Sequence, residues 1–145
     1  MMEVEARAEV RPTEDLEKVR RALENFITPS SLRVERRGDL RLLVASAKGP
    51  SALRKLYLSL RRQRILDSAR EYLKRGVFGD NIVFYLHKQA AYVGIASFCS
   101  FPERESPLGA ITVIIRYKDP LKVINWLAPR TVNGVPVKEG EEPDP

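Results

Sequence analysis

The sequence predicts a single α+β domain, an antiparallel-rich mixed sheet of about six strands with helices packed on it. Three observations predict this. Apolar residues near the start keep a period of two and then switch to a helical period. The elements follow as strand, helix, two strands, helix pair, three strands and helix, without the regular alternation of a doubly wound fold. Finally, 145 residues with 43% apolar content suffice for one hydrophobic core. The domain is expected to span residues 1–136, and the acidic, proline-containing tail 137–145 to be disordered.

Val4, Ala6, Ala8 and Val10 alternate with Glu3, Glu5, Arg7, Glu9 and Arg11, the pattern of a strand with one solvated face. Pro12-Thr13-Glu14-Asp15 opens a helix, with Thr13 as N-cap and carboxylates in the first turn, where the helix dipole favours them. Leu16, Val19, Leu23, Phe26 and Ile27 form its buried stripe, and Pro29 stops it soon after Ile27. Leu32 to Arg36 and Leu40 to Ala45 read as a hairpin around Gly38-Asp39.

A helical stretch follows Gly49-Pro50-Ser51 and runs to Arg75, closed by Gly76, a residue able to take the left-handed cap conformation. Its apolar residues change phase. Leu53, Leu56, Tyr57 and Leu60 share one stripe, while Ile65, Ala69 and Tyr72 lie far around the wheel, so two helices or a kink are expected between Leu60 and Arg64. Ile82 to Leu86 is a continuous apolar run, read as a central strand covered on both faces. Two more strands are expected at Tyr92 to Phe98 and Ala110 to Tyr117, around an exposed loop carrying Pro102, Glu103, Glu105, Ser106 and Pro107. Asp119-Pro120 opens a last helix through Trp126 that Pro129 ends, and from Arg130 the chain is expected to be extended.

No apolar run approaches the roughly 20 residues that span a bilayer, and the opening Met1-Met2-Glu3-Val4-Glu5 is acidic where a signal peptide is basic. One cysteine permits no intrachain disulfide. The expected compartment is the cytosol, with no membrane partner. Abundant charge with few Cys, Met, Gln and Asn resembles proteins from hot environments. The net charge of +6 is concentrated: residues 33–76 carry thirteen Lys/Arg against four Asp/Glu, while the flanking segments nearly cancel. A basic segment of this kind attracts phosphates.

Little in the chain points to catalysis. Gly76-Val77-Phe78-Gly79 lacks the Lys-Ser/Thr of a phosphate loop and leads into a strand, so it reads as a cap and turn. One histidine and one cysteine, twelve positions apart, build no metal site, and no cofactor is implied. His87 at a strand end reads as structural or solvated, and Cys99 between Phe98 and Ser100 as a packed thiol. Asp67 and Glu71 share a helical face, where Arg64, Arg70, Lys74 and Arg75 are expected to pair with them. No catalytic residue is assigned.

The remaining signal is Leu60-Arg61-Arg62-Gln63-Arg64-Ile65-Leu66-Asp67-Ser68-Ala69-Arg70. Its guanidinium groups suit bidentate contacts with phosphates, and Arg54, Lys55, Lys74 and Arg75 extend the field. A solvated, salt-bridged helix surface accounts for the same run equally well. Tyr57 and Tyr72 offer stacking platforms for bases, but both lie on apolar stripes, where core packing is the better reading.

Four segments resemble an archaeal UPF-type family of similar length: Arg11-Pro12-Thr13-Glu14-Asp15, Gln63 to Arg70, Lys88-Gln89-Ala90-Ala91 and Trp126-Leu127-Ala128-Pro129. The resemblance runs from about Val4 to Pro136. It implies a fold similar to ribosomal protein L-five and kinship with a group of predicted exosome-associated RNA-binding proteins. It implies no catalytic residues. The leading expectation is a non-catalytic module for RNA or a ribonucleoprotein, using Arg61, Arg62, Arg64, Arg70, Lys74, Arg75 and Lys88. The alternatives are a protein-interaction or homodimeric assembly domain, whose arginines would form ion-pair networks suited to heat, and an enzyme with an unrecognised site.

Overall fold

A computed structural model describes residues 1–100 and 109–145. The loop expected at Pro102 to Pro107 lies outside the described residues. The strands are β1 (Glu3–Val10), β2 (Ser31–Arg37), β3 (Leu40–Lys48), β4 (Val77–Phe78), β5 (Asn81–His87), β6 (Phe98–Cys99), β7 (Ala110–Arg116), β8 (Thr131–Val132) and β9 (Val135–Pro136). The helices are α1 (Leu16–Glu24), α2 (Arg54–Arg62), α3 (Leu66–Arg75), α4 (Lys88–Tyr92) and α5 (Pro120–Leu127), with a 3-10 turn at Pro50–Leu53.

Seven strands form the main sheet in the order β2-β3-β1-β7-β5-β4, with β6 also pairing with β5. Every ladder among the described residues is antiparallel, so the expected mixed component is missing. The register brings like to like. Ala6 stands opposite Ala45 and Val113, and Val113 in turn opposite Phe84, so one face is apolar across four strands. That face and the helices enclose the core, including Val19, Leu23, Leu56, Leu60, Leu73, Val123, Ile124 and Leu127. The other face stays open: on β1 it presents Glu3, Glu5, Arg7 and Glu9.

β5 has neighbours on both sides, β7 on one and the short β4 and β6 on the other. It is neither central nor covered twice, since Ile82, Phe84 and Leu86 are buried while Val83 and Tyr85 are only half-buried. The central strands are β1 and β7. The hairpin turns at Gly38, whose φ of 61° suits glycine. The N-cap of α1 is Asp15, not Thr13: its carboxylate accepts from the Glu17 amide, while Glu14 turns inward. Gly76 does not use its conformational freedom. Its φ is −88°, and it is glycine because a Cβ would come within 1.9 Å of the Val83 carbonyl oxygen.

The strand expected at Tyr92 to Phe98 is largely helix and turn. α4 forms because Lys88 and Ala91 are buried, and Asn25 Nδ2, at the C-cap of α1, donates to the Ala91 carbonyl at 2.8 Å. Only Phe98–Cys99 pairs with β5. Past Arg130 the chain is not simply extended: β8 and β9 form a hairpin around Asn133-Gly134, both at positive φ. Segment 137–145 also makes defined contacts. Pro143 is buried, and the Asp144 amide donates to the Tyr117 hydroxyl at 3.2 Å.

Candidate nucleic-acid interface

The phase shift in the apolar stripe produces the corner between α2 and α3. α2 ends at Arg62, and Arg64 adopts a left-handed conformation with φ 57°, so the following helix starts on a new heading and buries its own stripe. Gln63 locks the turn. Its side chain donates to the Ala96 carbonyl and accepts from the Ala96 amide, both at 2.9 Å.

The seven cations nominated from sequence separate into two groups. Arg62, Arg64, Lys74 and Arg75 are exposed. Arg62 donates to the Ser59 hydroxyl at 3.2 Å, and the Arg75 guanidinium sits 4.8 Å from the centre of the Tyr72 ring. None of the four makes an ion pair with a described carboxylate within 4.0 Å. The pairing expected from Asp67 and Glu71 is therefore not made, and Asp67 instead accepts a hydrogen bond from the Thr131 hydroxyl.

The other three are engaged inside the molecule. Arg70 is 8% exposed and donates to Asn125 Oδ1 at 3.0 Å and the Ala128 carbonyl at 3.1 Å. Burial, with the nearby Arg130 charge, lowers its pKa from the ordinary value. Lys88 has no exposed surface. Its ammonium donates to the Glu9 carbonyl at 2.7 Å and to both Glu14 oxygens at 3.0 and 3.1 Å, and Tyr92 donates its hydroxyl to Glu14 at 2.9 Å. Burial acts to raise the Glu14 carboxyl, but the Arg11 amide, Lys88 and Tyr92 together outweigh it and hold its pKa below the ordinary 4.5. Burial and the Glu14 carboxylate push the Tyr92 hydroxyl up to about 12.

Arg61 is the third. Its guanidinium lies 3.5 Å from the centre of the Tyr57 ring and donates to the carbonyls of Tyr57, Trp126 and Leu127 at 3.1 to 3.2 Å. Its remaining edge meets Glu139 at 2.5 and 3.3 Å. Tyr57 stacks on Trp126 with centroids 5.2 Å apart, and Tyr72 on Phe98 at 5.3 Å, so both tyrosines pack internally.

His87 is half-buried at the start of α4, where its amide donates to the Ser97 carbonyl, and Cys99 is buried. Among the described residues no group of three His, Cys, Asp or Glu side chains is placed to hold a metal ion, and no helix is long and apolar enough to cross a membrane.

One basic feature escaped the sequence reading. Arg36 and Arg41 stand directly opposite each other near the tip of the β2–β3 hairpin, both exposed and neither ion-paired with a described carboxylate. Like charges in that position repel. The signal was the hairpin register, which sets residues at equal distances from Gly38-Asp39 across from one another.

A family model described as RNA binding matches residues 3–117. A UPF0201 protein of Thermococcus onnurineus is 48% identical over 136 residues, covering 94% of this chain and 98% of that protein. One from Saccharolobus islandicus is 46% identical over 143 residues, covering 99% and 98%. The crystal structure of a UPF0201 protein from Methanococcus jannaschii superposes with a TM-score of 0.83 at 36% identity, covering 94% of this chain and 99% of that one. A DUF54 protein from Methanothermobacter thermautotrophicus shares the fold, with a TM-score of 0.59 at 21% identity over 87% of this chain and 96% of that one. The chain belongs to the family described as RNA binding, alongside the archaeal UPF0201 proteins.

Proposed function

We propose that this protein binds RNA or a ribonucleoprotein without catalysing a reaction, through Arg62, Arg64, Lys74 and Arg75. The observation that carries the reading is that these four cations are exposed and ion-paired with no described carboxylate, Arg62 and Arg64 at the α2–α3 corner before α3 and Lys74 and Arg75 in its last turn. At ~1.5 Å per residue, the length of α3 puts roughly 15 Å between the two pairs, the scale of a few phosphates along one strand. Lys74 and Arg75 also face a helix C-terminus, which stabilises their charge. The description of the matching family model supports the same reading.

If each cation neutralises one phosphate, the log–log salt slope on single strands is roughly −2.8. Arg62→Glu with Arg64→Glu then halves that slope and weakens binding about tenfold or more for all sequences alike, because phosphate contacts position a protein without reading bases. The measurement is a salt titration against a mixed RNA pool. Equal, salt-insensitive binding by both proteins ends the reading.

A second reading, assembly through a copy of the same chain, is favoured by the open sheet face. There arginine is locked to carboxylate, as in Arg7–Glu5 at 2.5 Å, Arg33–Glu35 at 3.4 Å and Arg116–Glu3 at 3.7 Å, beside half-buried Val83, Tyr85 and Ile114. Sedimentation velocity separates the two: a dimer indifferent to RNA promotes assembly.

A further inference from the structure

We propose that the outward edge of Arg61 is a preorganised phosphate site, and that the acidic segment 137–145 closes it by laying Glu139 where a phosphate of the RNA would lie. The inference rests on the RNA reading and extends it to a covered part of the same surface. Three backbone carbonyls and the Tyr57 ring fix the guanidinium plane, so its Nε and Nη2 edge presents two parallel donors without further ordering. Glu139 fills that edge with two oxygens. A phosphate offers the same pair of acceptors in the same geometry.

The neighbouring contacts repeat the pattern. Glu142 lies 3.6 Å from Arg54, and the segment carries Glu139, Glu141, Glu142 and Asp144 against the single cation Lys138. Two hollows of about 360 and 370 Å³ flank it. One is lined by Arg54, Tyr57, Trp126, Gly140 and Glu142, and the other joins Arg61 and Glu139 to Arg64 of the exposed corner. Lifting the segment thus joins Arg54 and Arg61 to Arg64 as one cationic track beside an aromatic pair. Such a track suits the backbone of a single strand, with phosphates on the arginines.

The segment is seated by shape as well as charge. A Cβ on Gly140 would come within 2.1 Å of the Asn125 carbonyl oxygen and 2.7 Å of the Trp126 nitrogen. These are backbone atoms of α5, so any larger residue at 140 lifts the segment. Two variants therefore open the site by different routes: Gly140→Val by shape, and Glu139→Gln with Glu142→Gln by charge, with the chain length unchanged.

The experiment titrates a labelled mixed-sequence 20-mer RNA, and separately tripolyphosphate, into wild type and both variants. Acrylamide quenching of Trp126, the sole tryptophan and 5% exposed, reports whether the segment has lifted. We expect both variants to bind RNA about tenfold or more tightly than wild type, with a salt slope steeper by roughly 0.7 to 1.4 for the one or two added phosphates. Tripolyphosphate should raise quenching in wild type by displacing the segment. Unchanged RNA affinity in both variants together with unmoved quenching under tripolyphosphate overturns the inference and leaves the RNA reading standing. Quenching that responds to tripolyphosphate while no variant binds RNA keeps the anion site and sinks the RNA reading.

Discussion

Replacing Lys88 by methionine should destabilise the protein by about 3 to 4 kcal/mol at pH 7. Methionine fills the same volume but leaves the Glu14 carboxylate buried, 7% exposed, without its cation. Glu14 would keep the Arg11 amide at 3.0 Å and the Tyr92 hydroxyl at 2.9 Å, so the lower part of the usual ~3–5 kcal/mol for a broken buried pair applies. A second route gives the same size. Against an ordinary 4.5, taking up a proton at pH 7 costs about 3.4 kcal/mol at about 1.36 kcal/mol per unit. In wild type the Glu14 pKa is depressed, so its contribution is present above about 4.5 and lost as pH falls through the folded value. In the variant, burial without a cation raises that pKa, and stability is lost as pH rises. Both effects close the gap between the proteins on acidification. Guanidinium denaturation at pH 7.5 and pH 5 measures it, and the melting temperature at neutral pH should fall by roughly 10 °C. A neutral-pH loss under about 1 kcal/mol, or a gap that widens towards pH 5, refutes the reasoning.

Arg64→Asn should leave stability within about half a kcal/mol, because asparagine tolerates the left-handed backbone at φ 57°, while flattening the RNA salt slope by roughly 0.7; melting curves and a salt titration check both halves. Arg70→Leu should cost about 2 to 3 kcal/mol in urea, by leaving Asn125 Oδ1 and the Ala128 carbonyl without their donor, and should not change the RNA affinity of the folded protein. Gln63→Ala should cost about 2 kcal/mol and speed amide exchange at Ala96, which loses both of its side-chain partners.

What could be read in advance was what periodicity encodes. The alternation of β1, the Gly38 hairpin and the phase slip at Leu60 to Arg64 all stand in the structure, because each is a local consequence of which residues must share a buried face. What could not be read is pairing across the chain. Lys88 looked like surface, since lysine is rarely buried, and the Glu14 carboxylate, 74 positions away, with the Glu9 carbonyl, makes its burial tolerable. Arg70 depends in the same way on Asn125 and Ala128. The acidic segment lacks the apolar content of a core, yet Arg54, Arg61 and the bare backbone at Gly140 give it a seat. Asn133-Gly134, by contrast, was an available signal: a tight-turn dipeptide between Val132 and Val135, passed over when the chain after Arg130 was read as extended.

The charge of the middle third therefore has to be divided before it can bear on function. A summed charge gives equal weight to a guanidinium in water and to one whose donors are spent on carbonyls, although only the first attracts a passing phosphate without breaking something else. Arg70 is spent inside the molecule, outside the basic segment Lys88 is spent likewise, and Arg61 is spent on three carbonyls and, at its last edge, on Glu139. On the open sheet, arginines and glutamates close on each other, so that face projects little net field despite its many charges. The α2–α3 corner has fewer charges, and its Arg62 and Arg64 close on no described carboxylate. Long-range attraction should therefore start there, and reversing Arg7 or Arg33 should move RNA affinity far less than reversing Arg62 or Arg64. Equal losses at both faces would mean that the summed charge, and not its pairing, governs binding.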